Sequence, residues 1–254
     1  LPNAAVRGNI WRLPARGNRA GISVNLEEEE RMQRYFVPPE QIRGEYAELI
    51  GDDAHHLMRV MRAEPGDKVI VCDGTGRECV AEVVSLEKER AALKVLDDRV
   101  SANEPAVQIW IAQSLPKGDK FETVIQKGTE IGAAAFLPFV SARPVVHYDA
   151  KKEAKRLERW RKIAKEAAEQ AHRGRVPNVA EPLGWSGLLD AAERAKLALF
   201  CYEKESGMLL RDALRASGPL GQGDVVLIVV GPEGGFTEAE AEEARRRGLA
   251  PVGL

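Results

Sequence analysis

The sequence predicts two bodies in one chain of 254 residues: a small β-barrel, then an α/β domain with a mostly parallel sheet. Three observations predict this. From Gln33 to about Asp97, apolar residues come in short strand-like runs separated by turn signals. After Pro105 the rhythm changes to apolar strands alternating with helical patterns. Towards the C-terminus, the apolar run from Val225 to Val230 leads into a glycine-rich loop and a helix start, as expected for a strand buried on both faces.

Composition narrows the classes. Hydrophobic residues make up 44% and charged residues 30% of the chain, which excludes a mostly disordered chain, a fibrous repeat and a collagen. No apolar run approaches the ~20 residues that span a bilayer. The three cysteines, Cys72, Cys79 and Cys201, contain no Cys-x-x-Cys pair, so neither a disulfide scaffold nor a cysteine zinc site is expected. That usage fits a reducing cytoplasm. With a net charge of −2, any basic surface must be local.

Residues 1–31 show neither period. They carry Gly8, Gly17 and Gly21, scattered arginines at 7, 12, 16 and 19, and an acidic run at 27–30. They read as an extension without structure of its own, with Met32 as the natural start. The alternative is a basic arm that touches RNA. The barrel then occupies residues 32–99. Its strands are Arg34–Val37 before Pro38-Pro39, Lys68–Cys72 before the turn Asp73-Gly74-Thr75-Gly76, Cys79–Val84, and Ala92–Leu96. Asp53–Arg62 is its helical stretch, with Leu57, Val60 and Met61 on one side. A body this small has a thin core and leans on a neighbour. Asp97–Pro105, polar and patternless, is the expected linker.

The second body covers residues 105–254. Val107–Ala112, Phe136–Val140, Lys196–Tyr202 and Asp224–Val230 are strand candidates. Lys120–Ile131, Lys151–His172 and Glu238–Arg247 are helical. Between the last strand and the last helix lies Gly231-Pro232-Glu233-Gly234-Gly235-Phe236. Glycine lets a ligand approach the main chain closely, although a plain tight turn explains the same residues. Thr237 and Glu240 have capping-box spacing. The loop is neither a dinucleotide fingerprint nor a P-loop.

Upstream, Asp119 and Glu122 resemble a second helix cap, and Lys117, Lys120 and Lys127 could contact phosphate or simply form a solvated face. The run Lys151–Arg175 holds ten Lys/Arg and four Glu, a net of +6 opposite an apolar stripe of Ala154, Leu157, Ile163, Ala164, Ala167 and Ala171. Its end gathers Glu169, Gln170, His172, Arg173 and Arg175. Such a face can neutralise phosphates, or can be a soluble helix with cations at its C-terminal dipole. His55-His56 lack spaced metal-ligand partners, so no metal site is expected. There is no Gly-x-Ser-x-Gly nucleophile. Trp110, Trp160 and Trp185 read as core.

In register, these pieces resemble one family. Gln113-Ser114-Leu115-Pro116-Lys117-Gly118-Asp119-Lys120, Gln126–Gly132, Glu169-Gln170 with Arg173–Pro177, and Gly231-Pro232-Glu233-Gly234-Gly235 occur in order. They follow Arg34–Val37 and His56-Leu57-x-x-Val60-x-Arg62. From Met32 to Leu254 the chain resembles the RsmE-type 16S ribosomal RNA uridine-N3 methyltransferases of the SPOUT superfamily.

The resemblance implies an N-terminal PUA-like β-barrel and a trefoil-knotted α/β methyltransferase domain. It implies a cytoplasmic homodimer with S-adenosylmethionine held in the knot, acting on 16S rRNA of the small ribosomal subunit. It also implies a further Arg-rich loop and a final helix after Leu254, completing the cofactor pocket. Carried onto this chain, the cofactor site is the main chain of Gly231, Pro232, Glu233, Gly234 and Gly235 with the strand end Phe200, Cys201 and Tyr202. Arg173, Arg175 and Glu169 are the expected catalytic group. Arg34, Arg59, Arg62, Lys117 and Lys120 are the expected RNA contacts. The alternatives are a related enzyme acting on ribose 2′-OH or another base, and a non-catalytic RNA-binding module.

Overall fold

The computed structural model describes residue 29 and residues 31–142, 150–205 and 207–253. The reading of residues 1–31 therefore falls almost wholly outside the described residues. Glu29 is the exception. Its carboxylate meets the Arg99 guanidinium twice, at 2.6 and 3.0 Å, so the N-terminal body begins before Met32.

That body is a six-stranded sheet of β1 (Arg34–Phe36), β2 (Ile42–Arg43), β3 (Tyr46–Ile50), β4 (Lys68–Cys72), β5 (Arg77–Glu87) and β6 (Arg90–Val100), in the order β1-β4-β5-β6-β3-β2. β1 and β4 are parallel and the other neighbours antiparallel. Register shifts at Val80/Ala81 and Val83/Ser85 are bulges, which bend a strand and raise its twist. Tyr35, Leu49, Leu57, Val71, Val83 and Leu93 share one core.

Two expectations fail here for visible reasons. Asp97–Val100 is strand, not linker: it pairs with Arg77–Val80, and the charges read as linker polarity are cross-strand pairs, Arg77–Asp98 at 2.8 Å and Arg99–Glu78 at 2.8 Å. The helix after β3 also departs from its pattern. α1 (Gly51–His55) continues into a π turn over His56–Val60, with the Met61 N–H bonding the His56 carbonyl five residues back. The wider turn breaks the 3.6-residue spacing. Leu57 faces the core, whereas Val60 is 62% and Met61 45% exposed.

The second sheet is entirely parallel. It contains β7 (Gln108–Ser114), β8 (Ala135–Phe139), β9 (Asn178–Val179), β10 (Leu197–Cys201), β11 (Val225–Val230) and β12 (Ala250–Val252), ordered β12-β10-β11-β7-β8-β9. Its helices are α2 (Lys120–Glu130), α3 (Ala150–Gln170), α4 (Trp185–Ala192), α5 (Leu210–Ala216) and α6 (Glu238–Arg246). Alternation along β8 divides the core. Leu137 and Phe139 join Leu188, Phe200 and Phe236, in the layer with α4 and α6. Phe136 joins Phe121, Ile125 and Trp160, in the layer with α2 and α3. Trp160 is core as expected; Trp110 and Trp185 are only partly buried against it. Asp119 does not cap α2 with its side chain; its carbonyl accepts the Glu122 N–H instead. Among the described residues, no helix is long and apolar enough to cross a membrane.

Candidate active site

Register brings strand ends to one level. Cys201 lies beside Val230 on one side and Val252 on the other, and Val230 lies beside Gln113. The segments leaving β10, β11 and β12 therefore emerge together, at the carboxyl edge where open α/β sheets bind ligands. The segment after β11 is the glycine-rich loop. Its Pro232 carbonyl accepts the Gly235 N–H at 2.9 Å. Gly235 has φ +69, and the Glu203 carboxylate fills the space where its Cβ would stand. A Cβ on Gly231 would lie 2.9 Å from the Phe236 ring.

The loop is anchored where α6 begins. The Thr237 hydroxyl accepts the Glu240 N–H at 3.1 Å, and the Glu240 carboxylate accepts the Thr237 N–H at 2.8 Å, completing the expected capping box. Lys120 holds the other side, its Nζ 2.5 Å from Glu233 Oε1. Lys120, with Lys117 nearby, keeps the Glu233 carboxyl below the usual range. Lys117 is exposed. Phe200 and Tyr202 do not offer their side chains: both are buried, and Phe200 packs edge-on against Phe236. The strand end presents its main chain and half-buried Cys201. Beside it, exposed Met208 and Leu209 flank Gly253, whose carbonyl accepts the Leu210 N–H at 3.0 Å. Beside the glycine main chain and this apolar lip, the Glu205 carboxylate accepts the N–H groups of Gly207 and Met208 at 2.8 and 3.3 Å, and the Glu203 carboxylate lies against Gly235.

The residues expected to be catalytic lie elsewhere, where α3 ends against the first sheet, each with different partners. His172 at φ +52 reverses the chain. Arg173 then turns inward and is 3% exposed. It clasps Glu104 at 2.6 and 3.1 Å and donates to the carbonyls of Ala133 (2.6 Å) and Thr129 (3.2 Å). Glu104 also accepts the N–H groups of Gly174 and Arg175. Arg173 is thus a clamp on the linker, not a group turned to substrate. Arg175 is exposed and lies against Gly76 in the β4–β5 turn.

Arg34 is a second correction. At 3% exposure it cannot reach RNA. It donates to Glu78 at 2.8 Å, to Cys72 Sγ at 3.0 Å and to the Arg173 carbonyl at 3.2 Å, which ties the two bodies together. Burial pushes Glu78 up, but the hydrogen bonds from Arg34 and Arg99 outweigh it and hold the carboxyl below its ordinary value. Arg59 and Arg62 are exposed on the turn after α1.

Glu169 borders a cavity of about 690 Å³ between the first sheet and α3, with Tyr35, Asp53, His56, Arg161 and Lys165. One carboxylate oxygen accepts the Phe36 N–H at 3.1 Å and lies 3.8 Å from Lys165 Nζ. Burial raises Glu169 to about 7 against the pull of Phe36 and Lys165. Lys165 is itself held by Asp53 at 2.8 Å, and Tyr35 and His56 share a 3.0 Å hydrogen bond. Sequence reasoning missed Glu104, Tyr35, Asp53 and Glu203. Glu104 lay in the presumed linker, and a carboxylate's partners across the fold leave no local pattern.

Comparison with known proteins agrees with this architecture. The model of an RNA methyltransferase domain matches residues 103–254, and that of an RNA methyltransferase PUA domain matches residues 49–96. Ribosomal RNA small subunit methyltransferase E of Bacillus subtilis is 41% identical over 227 residues, covering 88% of this chain and 89% of that one. The protein of the same description from Synechocystis is 36% identical, over 87% of this chain and 70% of its own. Among solved structures, ribosomal RNA small subunit methyltransferase E from Neisseria gonorrhoeae, bound to S-adenosyl methionine, superposes with a TM-score of 0.75 at 30% identity, over 88% of this chain and 89% of that one. The strand-end glycine loop, the all-parallel sheet and these matches together make the chain a member of the ribosomal RNA small subunit methyltransferase E family, RNA methyltransferases of SPOUT type with a PUA domain.

Proposed function

We propose that the protein transfers the methyl group of S-adenosylmethionine to N3 of a uridine in 16S rRNA, in the cytoplasm and as a homodimer. The trefoil knot belongs to the same reading. One observation carries it: β10, β11 and β12 end together beside a glycine-rich loop, at the sheet edge where a ligand can approach the main chain. The main chain of Gly231, Pro232, Glu233, Gly234 and Gly235, with Cys201 and the lip at Met208 and Leu209, would hold the cofactor. Bound there, its sulfonium supplies an already activated methyl group.

What remains is to place N3 in line and take its proton. Positioning lowers much of such a barrier. Glu169, raised to about 7, has a proton affinity suited to a general base at neutral pH; lying away from this chain's own glycine loop, it would serve a uridine whose methyl donor sits in the loop of the partner copy. Exposed Arg175 stabilises the negative charge that spreads onto the uracil oxygens. Arg173 and Glu104 are positioning residues that hold the 174–175 backbone. Lys117, Arg59 and Arg62 take RNA phosphates. Lys120 reaches phosphate only by giving up Glu233, so it couples RNA contact to the loop.

The test is to incubate the protein with small-subunit RNA and methyl-labelled S-adenosylmethionine, then digest the RNA and identify the labelled nucleoside. 3-Methyluridine is the expected product. Label on ribose, or no transfer, overturns the proposal. Glu169→Gln should lower kcat by at least about tenfold while calorimetric binding of S-adenosylmethionine stays unchanged.

A further inference from the structure

The turn leaving α1 combines features that neither the core nor the methyl-transfer site uses. Its π turn is a backbone form found often at functional sites. It ends at Arg62 in the left-handed region, φ +54, where a non-glycine residue is strained. Just before it, Val60 and Met61 face solvent between the two exposed cations Arg59 and Arg62. Met61 also walls a cavity of about 480 Å³ with Leu57, Ala63 and Val69, rimmed by Gln33 and Arg31. Gln33 lines the neighbouring cavity over α3 as well, so the two hollows adjoin.

A solvent-facing apolar pair flanked by guanidiniums does not suit a protein core. It suits a partner that is apolar on one face and anionic on its edges. An unpaired RNA base has that chemistry, a flat ring carried by phosphates. The segment falls within residues matched by the RNA methyltransferase PUA domain model.

We infer that the hollow behind Met61 is a seat for an unpaired nucleobase of the RNA substrate. Val60 and Met61 form the apolar wedge that separates this base from its neighbour, and Arg59 and Arg62 hold the flanking phosphates. Gln33, whose Nε2 donates to the Arg34 carbonyl at 3.1 Å, turns its remaining amide capacity to the base edge. Apolar side chains inserted between base steps act in this way in other nucleic-acid complexes. The base seated here is not the methylated one. This inference rests on the RNA methyltransferase reading and adds a second recognition point to it.

The test measures binding of the whole protein to a 16S rRNA fragment across a salt series, with methyl transfer and sizing chromatography in parallel. Val60→Ser with Met61→Ser should weaken binding about tenfold and leave the salt slope unchanged, because apolar contacts release no counterions. Arg59→Gln with Arg62→Gln should flatten the slope by roughly 0.7 per lost phosphate contact. Both substitutions are on the surface, and unchanged S-adenosylmethionine binding verifies the fold. If the wild type binds and methylates RNA and the serine variant binds equally well, the base seat is overturned and the function stands. If the wild type neither binds nor methylates RNA, the function falls and the seat with it. If the serine variant loses only self-association, the patch is a contact between copies and the seat is overturned.

Discussion

Glu169 shows how one residue can serve function at a cost to stability. Its carboxyl is 13% exposed and keeps its proton to about pH 7, against an ordinary 4.5. The sign follows from proton binding. Below pH 4.5 both folded and unfolded chains hold the proton. Between 4.5 and 7 the folded chain holds it and the unfolded chain has released it, so stability falls as pH rises. Above 7 both are ionised and the whole cost is present, on the order of 3 kcal/mol for a shift of this size. Glu169→Gln keeps an acceptor for the Phe36 N–H and removes the charge. The variant should be more stable than wild type at pH 8 and about equal at pH 4.5. Denaturant midpoints at the two pH values check this, and equal gaps at both would show that the carboxyl is not perturbed. That Glu169, Arg173 and Arg175 follow one another where a helical run stops was legible in the sequence. The inward turn of Arg173 was not, because it depends on Glu104, 69 residues away.

At the scale of elements, what was legible follows from how much each segment decides for itself. β11 is apolar throughout, with Val226, Leu227 and Val229 buried and the other three half-buried, and Thr237 with Glu240 caps the next helix through neighbours three residues apart. Both signals are local. β2 and β9 have two residues each, and α4 follows Gly184, which has no side chain to cap it, so nothing local marks them. α1 carries a helical pattern that its π turn then breaks. The glycine loop gives an element-level prediction. Gly235 combines φ +69 with the Glu203 carboxylate against its α-carbon, while Gly218 has φ +77 and open space. Gly218→Ala should cost about 1 kcal/mol of strain and leave S-adenosylmethionine binding intact. Gly235→Ala pays the same strain and also displaces Glu203, and its affinity for S-adenosylmethionine should drop at least about tenfold. Calorimetry on both variants decides. Equal binding by the two would mean that the loop does not shape the cofactor site.

For the whole molecule, the question is what fixes the first sheet against the second. A body of this size buries too little apolar surface to stand apart comfortably. The contact is partly apolar, with Met32, Phe36, Ile70 and Val80 meeting Ala168 of α3. It is also ionic in a buried place. Glu29, Arg99, Glu78 and Arg34 form a chain of charges that ends on the Arg173 carbonyl, and Arg173 continues it to Glu104. Charges taken out of water are tolerated only when their partners stay in place. Removing one partner leaves the other buried and unpaired, at roughly 3–5 kcal/mol. Arg173→Ala should therefore lower the unfolding free energy by about that amount, since Glu104 and the Ala133 and Thr129 carbonyls all lose their donor. Arg173→Lys should rescue little, because one ammonium cannot reproduce a two-pronged grip on a carboxylate. Arg175→Ala, two residues on and exposed, should change stability by less than about 1 kcal/mol and act on turnover instead. Urea denaturation and single-turnover rates on the same three variants separate these roles. A full-strength Arg173→Ala fold with lost turnover would make Arg173 a substrate contact after all. A weakened fold, with Arg175→Ala lowering turnover in a stable one, assigns the first arginine to holding the two bodies in register and the second to the chemistry.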